Sequence, residues 1–240
     1  MIDLHCHLLP GIDDGPRTLA ESLELANLAV ADGITTAVLT PHIHPGRYGN
    51  SLSTVVKAVA AFQLTLREKE IPLKVYAGGE VRVGMEALDL LADGEMPFLG
   101  SYQGYRVALI EFPHQGIPVG ASQFLAKMLD LKIRPMIAHP ERNRSIMLAP
   151  ERARQFVEMG CLLQLTAGAI TGNFGEPARK AAHYLLEQDM AWLVATDAHN
   201  VEHRPPVMSK ARDMIAAMYG GKRAQLLVHD RAEQILAEAV

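Results

Sequence analysis

The sequence predicts an α/β fold built on a parallel β-sheet. Short apolar runs alternate with amphipathic helical stretches along all 240 residues. Several of these runs, among them AVLT, VALI and WLVA, lack polar alternation, as parallel strands buried on both faces do. A doubly wound open sheet and a closed (β/α) barrel both agree with this pattern. No glycine-rich phosphate fingerprint follows the first run, so a dinucleotide-binding open sheet loses its best support.

Seven of the apolar runs are predicted strands. In chain order they cover residues 2–5, 35–40, 73–77, 106–111, 134–138, 161–166 and 191–196. The segment from Thr18 to Glu21 has the form of a capping box, and Gly33 supplies a stop for the helix that it begins. Further helices are predicted over residues 55–66, 150–160, 177–188 and 207–219, and a last helix from Arg223 onward is expected on the outside of the fold.

Bulk composition narrows the class of protein. The formal net charge of −4 gives no support for a nucleic-acid surface, and the two cysteines, Cys6 and Cys161, are too few for a disulfide framework. The N-terminal stretch lacks the features of a signal peptide, and no apolar run approaches the roughly 20 residues of a membrane span. We therefore expect one cytoplasmic domain over residues 1–240, with no membrane insertion.

Potential metal ligands follow every predicted strand except the sixth. They are His5, His7, His42, Glu80, Glu111, His139, Asp197 and His199. The C-terminal ends of parallel barrel strands meet at one face, and residues two apart in a strand, such as His5 and His7, point to the same side. A single histidine at a strand end is more often structural, but so many ligand-type groups at one face would be costly without a cation. The pattern predicts a multinuclear metal site.

Imidazole and carboxylate ligands suit Mn²⁺, Fe, Zn²⁺ or Mg²⁺, and several carboxylates favour Mn²⁺. Clustered divalent ions generate hydroxide near neutral pH and hydrolyse phosphate esters. Arg142 and Arg204 follow two of the strand-end histidines and are candidates for binding the phosphoryl group. The weaker candidates for a place around the site are Arg47, Arg144, His44 and His203.

A thiol nucleophile is the competing explanation of the HCH stretch at the N terminus. Thiol-based tyrosine phosphatases need an arginine six residues after the cysteine, but Ile12 and Ala167 occupy those positions. In a regular strand Cys6 also points away from its two histidine neighbours. The sequence therefore predicts that Cys6 is a small core residue.

An ordered set of motifs runs from Met1 to about Pro206: H-x-H, P-G-I-D-D-G, T-P-H, G-x-E, I-E-F-P, A-H-P-E-R-N-R and T-D-A-H-N-x-x-x-R. Together they resemble the PHP (polymerase and histidinol phosphatase) superfamily. They are most similar to its bacterial branch of manganese-dependent protein-tyrosine phosphatases encoded with capsular and exopolysaccharide genes. The resemblance implies a distorted (β/α)7 TIM-like barrel, the PHP fold, with up to three metal ions at the C-terminal ends of the strands.

The resemblance also implies a ligand set for each ion. The first ion takes His5, His7, Glu80 and Asp197; the second shares Glu80 and takes Glu111 and His139; the third takes Asp14, His42 and His199. The usual ligand of the D-D-G turn is Asp14, although the sequence alone does not separate it from Asp13. Arg142 and Arg204 match the phosphate-binding arginines. Together with Asp14, His42 and His199, they are the expected catalytic residues.

The implied reaction is hydrolysis of phosphotyrosine by metal-activated hydroxide. The expected substrate is the C-terminal tail of a bacterial tyrosine kinase that controls polysaccharide export. Three alternatives remain open: a phosphomonoesterase of the same superfamily acting on histidinol phosphate or a nucleotide, an amidohydrolase, and an inactive metal-binding module that docks to a kinase. An amidohydrolase usually needs a bridging lysine on a middle strand, and none is present there.

Overall fold

The computed structural model describes residues 1–237 of the chain. Its strands are Ile2–Cys6 (β1), Thr36–Leu39 (β2), His42–Ile43 (β3), Lys74–Ala77 (β4), Glu80–Arg82 (β5), Gly100–Tyr102 (β6), Tyr105–Glu111 (β7), Ile133–Ala138 (β8), Leu162–Thr166 (β9) and Leu193–Ala195 (β10). All seven predicted strands are present, and their ends differ from the predicted ones by no more than a few residues.

The helices lie between these strands and after them. They are Leu19–Ala31 (α1), Leu52–Glu68 (α2), Met85–Ala92 (α3), Ala121–Asp130 (α4), Arg144–Leu148 (α5), Arg154–Met159 (α6), Ala167–Thr171 (α7), Glu176–Glu187 (α8), Ser209–Tyr219 (α9), Gly221–Gln225 (α10) and Arg231–Ala237 (α11). The predicted capping box begins α1, because the Thr18 side chain accepts from the Glu21 backbone N–H. No helix of residues 1–237 is both long enough and apolar enough to cross a membrane.

The parallel strands form the predicted barrel of seven, in which β2 with β3 and β4 with β5 each count as one strand. One sheet has the order β1-β2-β4, and a second has the order β10-β9-β8-β7-β5-β3. These two sheets are parts of one circuit, because β2 continues into β3 across Thr40 and Pro41, and β4 continues into β5 across two glycines. A Cβ atom on Gly78 would lie 2.6 Å from a methyl group of Val38, so the chain passes its neighbour too closely there for any side chain.

The circuit is joined where the segment after β10 meets β1. The Asp197 N–H donates to the His5 carbonyl, and the His7 N–H donates to the Ala198 carbonyl. Each of these bonds has a length of 2.8 Å. The buried Asp3 carboxylate accepts from the Thr196 backbone N–H at 3.0 Å. These bonds bring the ends of the first and last strands together, and with them the residues that the sequence predicts as ligands.

The last helix differs from the prediction. It was expected on the outside of the fold, but Ile235 is fully buried. It belongs to the apolar cluster inside the barrel, with Leu4 and Leu109 among its members. Helix α11 contacts β1 and β6, and β6 is a short antiparallel partner of β7 that the sequence analysis did not identify. The helix thus covers the N-terminal end of the barrel, where apolar interior side chains would otherwise meet water.

Candidate metal centre

All the predicted ligands lie together at the C-terminal end of the barrel. His5 is the last residue but one of β1, His42 begins β3, Glu80 begins β5 and Glu111 ends β7. The remaining members are in the segments that follow strands: His7, Asp14, His139, Asp197 and His199. Most are buried, whereas the Asp14 side chain is 43% exposed. The site therefore has a buried floor and one accessible side.

The first group contains His5, His7, Glu80 and Asp197, whose potential ligand atoms all lie within 4.8 Å of one another. The His5 Nε2 atom is 3.4 Å from Glu80 Oε2 and 3.3 Å from Asp197 Oδ1. The His7 Nε2 atom is 3.4 Å from each of the same two oxygens. Two imidazoles and two carboxylates thus surround one point, as the predicted first metal site requires.

Hydrogen bonds on the far side of the imidazoles set their orientation. The His5 Nδ1–H donates to Gln164 Oε1 at 2.8 Å, and the His7 Nδ1–H donates to Asp13 Oδ2 at 2.7 Å. The Nε2 atom of each ring therefore faces the carboxylates and is the atom that would bind a cation. An outer partner of this kind is typical of histidines that bind metals, because it fixes the ring and makes its free nitrogen more basic.

Unpaired buried atoms support the presence of a cation. Among residues 1–237, Glu80 Oε2, Asp197 Oδ1 and His199 Nε2 are buried and make no hydrogen bond. Buried polar groups without a partner are costly. A divalent cation bound by these atoms would remove this penalty, so the residues present are suitable for the metal that the sequence predicts.

Two further groups adjoin the first. One contains His7, Asp14, His42 and His199, and the other contains His42, Glu80 and Glu111. The imidazole of His42 lies between them, with Nδ1 3.0 Å from Glu80 Oε2 and Nε2 3.2 Å from Asp14 Oδ1. The Asp14 carboxylate thus faces the imidazoles of His42 and His199. Asp13 instead accepts from the His7 Nδ1–H and from the His42 backbone N–H.

The groups differ in detail from the predicted ligand sets. His7 accompanies the Asp14 group as well as the first group, and His42 stands beside Glu80 and Glu111 where the prediction has His139. His139 contacts the other oxygen of Glu80, with Nε2 2.8 Å from Oε1. The division of these residues among three ions therefore stays a prediction.

Close packing of opposite charges shifts the pKa values in the site. Burial lowers the pKa of His42, but the carboxylates of Glu80 and Asp14 outweigh it and raise the pKa to about 10. Burial raises the pKa of Glu80, but His5 and His42 bring it well below its usual range. For His199, burial and the neighbouring His7 lower the pKa to about 4. These shifts mark a site where protons and cations compete for the same atoms.

Two of the ligand-type residues have unusual backbone conformations. His139 has a φ of 32° and Asp197 a φ of 53°, both in the left-handed region that L-residues seldom adopt. Neighbouring backbone bonds hold each one, from the Arg142 N–H to the His139 carbonyl and from the Asp197 N–H to the His5 carbonyl. Strain of this type is often found where a side chain must be aimed at a functional site.

Arginines surround the mouth of the site. Arg142 and Arg204 both donate to Asp197 Oδ2, and the Arg142 guanidinium also lies 4.4 Å from the centre of the Phe174 ring. Arg82 donates to Glu111 Oε2 at 2.9 Å. Arg142, Arg204 and Arg82 line a cavity of about 320 Å³ with His42 and Glu111. This cavity can receive a phosphoryl group between the guanidinium groups and the ligand-type residues.

The four weaker candidates for a place around the site differ in where they lie. His44 and Arg47 line the same cavity. Arg144 lies outside it in a neighbouring groove. The His203 side chain is 84% exposed and borders a different cavity.

The structure adds two residues that the sequence pattern does not predict. Gln164 is the polar side chain of the sixth predicted strand, and besides His5 it accepts from the His139 backbone N–H at 3.3 Å. Its only sequence signal is a polar residue in the apolar run LLQL. Glu141 is fully buried and accepts from the Thr166 N–H at 2.8 Å. Burial raises the pKa of Glu141 to about 7.

Cys6 has the position that the sequence predicts. It is buried in the outer core cluster, and its thiol donates to the Val38 carbonyl at 3.6 Å. Burial, with smaller contributions from Asp3 and Asp197, raises the thiol pKa well above its usual value. A thiol in this state is a poor nucleophile.

The sequence profile of a family described as capsular polysaccharide synthesis, CpsB/CapC, matches residues 1–237. The chain belongs to this family. Among its CpsB/CapC relatives, the tyrosine-protein phosphatase YwqE of Bacillus subtilis is 36% identical over 239 residues, which cover 98% of this chain and 91% of YwqE. The tyrosine-protein phosphatase CpsB of Streptococcus pneumoniae is 32% identical over 243 residues, with 99% of each chain covered.

Comparison of structures agrees with the family assignment. A crystal structure from a study of YwqE from Bacillus subtilis and CpsB from Streptococcus pneumoniae, described as metal-dependent tyrosine phosphatases, superposes with a TM-score of 0.92 at 35% identity. That match covers 100% of this chain and 96% of the other. A putative histidinol phosphatase from Listeria monocytogenes has a TM-score of 0.53 at 10% identity, covers 91% of this chain and 100% of its own, and shares the fold alone. The predicted relationship to the capsular tyrosine phosphatases is confirmed.

Proposed function

We propose that this CpsB/CapC chain is a metal-dependent protein-tyrosine phosphatase. The observation that carries the proposal is the convergence of imidazoles and carboxylates from six barrel strands beneath two arginines that can hold a phosphoryl group. The names of the relatives YwqE and CpsB, which the chain matches over nearly their whole length, support the same activity.

The proposed cofactor is Mn²⁺, with up to three ions per chain. The donor set supports a hard or borderline divalent cation, because it contains imidazole and carboxylate atoms, and the two cysteines lie in the core. Fe, Zn²⁺ and Mg²⁺ are the competing ions. When bound, clustered divalent ions supply Lewis acidity and bring the pKa of water close to neutral.

The side chains of the site bind the substrate and hold its groups in place. Arg142 and Arg204 bind the phosphoryl oxygens. In the structure both guanidinium groups donate to the same oxygen of Asp197. Their convergence positions the phosphorus over the ligand-type residues. Asp14, His42 and His199 form the group at the exposed side of the site. A phenolate departing on that side leaves directly into solvent.

We further propose that the substrate is phosphotyrosine in the C-terminal tail of a bacterial tyrosine kinase that controls capsular or exopolysaccharide synthesis. The family description, capsular polysaccharide synthesis, supports this choice. A cytoplasmic location and a single domain over residues 1–240 are parts of the proposal. The two buried, unpaired cysteines agree with a reducing compartment.

The proposal is tested by metal analysis of the purified protein followed by assays with three substrates: a phosphotyrosine peptide, a phosphoserine peptide and histidinol phosphate. We expect turnover of the phosphotyrosine peptide that a chelator abolishes and Mn²⁺ restores. Replacing Arg204 with Ala should raise KM or lower kcat, without loss of bound metal. Exposed Lys180→Ala serves as the control variant.

Two of the alternatives have their own outcomes in these assays. Preferred turnover of histidinol phosphate would indicate a small-molecule phosphatase. Full metal occupancy with no turnover of any phosphate ester would favour the inactive docking module. Turnover of phosphotyrosine that resists complete removal of metal would refute the metal-dependent mechanism.

A further inference from the structure

A second concave surface lies beside the metal centre. It is a groove of about 520 Å³, and the apolar part of its wall comes from Met147, Leu148 and Pro177. The Leu148 side chain in α5 is 78% exposed. An exposed apolar surface of this kind, next to a site that binds a ligand, commonly marks a contact with a partner or substrate.

The groove is rigidly built. The Asn143 side chain accepts from the Ser145 N–H at 3.0 Å and donates to the Pro113 carbonyl at 2.8 Å. The Arg144 N–H donates to the His114 carbonyl at 2.9 Å. These bonds fix α5 against the loop that follows β7. Ile146 is fully buried and anchors the short helix, which leaves Leu148 facing outward.

The groove is continuous with the metal-centre cavity. His114, Gln115 and Arg142 line both, so any group seated in the groove lies beside an arginine that we assign to phosphate binding. Arg144 adds a further cationic group on this side. By contrast, the acidic residues Glu21, Glu24 and Glu202 outnumber the one arginine, Arg17, in the lining of the cavity on the other side of the site. A phosphorylated segment is anionic, and it is therefore attracted to the groove side and repelled from the other.

We propose that this groove binds an apolar side chain of the protein substrate, close in sequence to the phosphotyrosine. The inference rests on the proposed phosphatase function and adds a determinant of its specificity. An extended peptide advances about 3.3 Å per residue, so residues within two or three positions of the phosphotyrosine can reach the groove. Burial of an apolar side chain against Met147 and Leu148 then adds to the affinity that the phosphate provides.

The test measures binding and turnover separately, with the metal-loaded protein. Two fluorescent peptides carry a non-hydrolysable phosphotyrosine analogue, one flanked by leucines and one by serines. We expect the wild-type protein to bind the leucine peptide about tenfold more tightly, which is the range that one buried apolar side chain provides. Leu148→Asn, which removes the apolar surface without adding charge, should abolish this difference without changing the affinity for the serine peptide. Val119→Asn, at a fully exposed valine outside the groove, should change neither affinity.

Turnover of a small aryl phosphate distinguishes the subsite from the phosphatase function. It should be the same in the wild type and in Leu148→Asn, because the aryl phosphate does not extend into the groove. Equal binding of both peptides by the wild type would overturn the subsite, and so would an equal loss of both affinities in Leu148→Asn. No turnover of the aryl phosphate or of a hydrolysable phosphotyrosine peptide, with the leucine preference intact, would refute the phosphatase function and leave the groove assignment standing.

Discussion

Gln164 provides a direct test of how the barrel prepares its histidines for metal. Its Oε1 accepts from the His5 Nδ1–H at 2.8 Å and from the His139 backbone N–H at 3.3 Å. Leucine in its place has a similar size but no acceptor. The Gln164→Leu substitution therefore leaves both N–H groups buried without a partner, and the His5 ring loses the bond that selects its tautomer.

The magnitude follows from these two bonds. A buried donor without an acceptor costs about 1–3 kcal/mol, so we expect the metal-free protein, with two such donors, to lose about 2–6 kcal/mol in its free energy of unfolding. Loss of an outer partner of a ligating histidine typically weakens metal binding by about 10–100-fold. The His5 group should therefore bind Mn²⁺ more weakly by about 1.4–2.7 kcal/mol.

The assay is Mn²⁺ titration by calorimetry or by competition with a chelator, at a temperature where every variant is folded. Gln63→Leu is the matched control, because Gln63 also accepts from a backbone N–H, that of Val75 at 2.9 Å, and donates to the Leu73 carbonyl at 3.2 Å, far from the site. It should lower stability and leave metal affinity unchanged. Gln164→Glu retains an acceptor for His5 and should lose less affinity than Gln164→Leu.

Unchanged Mn²⁺ affinity in a folded Gln164→Leu protein would refute the reasoning, because the bond to His5 would then have no part in preparing the site. An equal loss of Mn²⁺ affinity in Gln63→Leu would show that the weaker metal binding comes from lower stability alone.

Three further predictions concern other parts of the molecule. Cys6→Ala should keep kcat within about twofold of wild type, because the buried thiol has a raised pKa and does not act as a nucleophile. The raised pKa of His42, about 10, means that its imidazole is protonated at neutral pH in the metal-free protein. Metal binding should therefore release protons, and the affinity should rise by up to about tenfold per pH unit between pH 6.5 and 7.5. Ile235→Ala should cost about 2–5 kcal/mol, because its side chain fills the N-terminal end of the barrel.

These predictions have clear contrary outcomes. A loss of more than a hundredfold in the Cys6→Ala variant, with its metal content retained, would restore the thiol mechanism. Metal affinity that does not change with pH would show that His42 is neutral in the metal-free protein. A melting temperature of Ile235→Ala no lower than that of Met218→Ala, a substitution at a 43% exposed position, would contradict the burial of the last helix.

Much of the site could be predicted from the sequence, because the direction in which each side chain points depends on local periodicity. Alternation along a strand places His5 and His7 on one side and Cys6 on the other, and the structure has Cys6 in the core. Parallel strands bring their C-terminal ends together, so residues as distant as Glu80 and Asp197 could be placed at one site without knowing any distance between them. These inferences require only the direction of each strand and the parity of each position.

What the sequence pattern determined by itself is therefore the parallel α/β fold, the strand ends that carry the chemistry and most of the residues expected there; the closed barrel entered only as what the family resemblance implies. The tertiary structure decided the rest. Asp13 and Asp14 lie in a turn without a repeating period, and only the folded chain shows that Asp13 holds His7 while Asp14 approaches His42. An amphipathic pattern shows that one face of α11 is buried but not which surface it covers, so its place at the end of the barrel depends on contacts between distant segments.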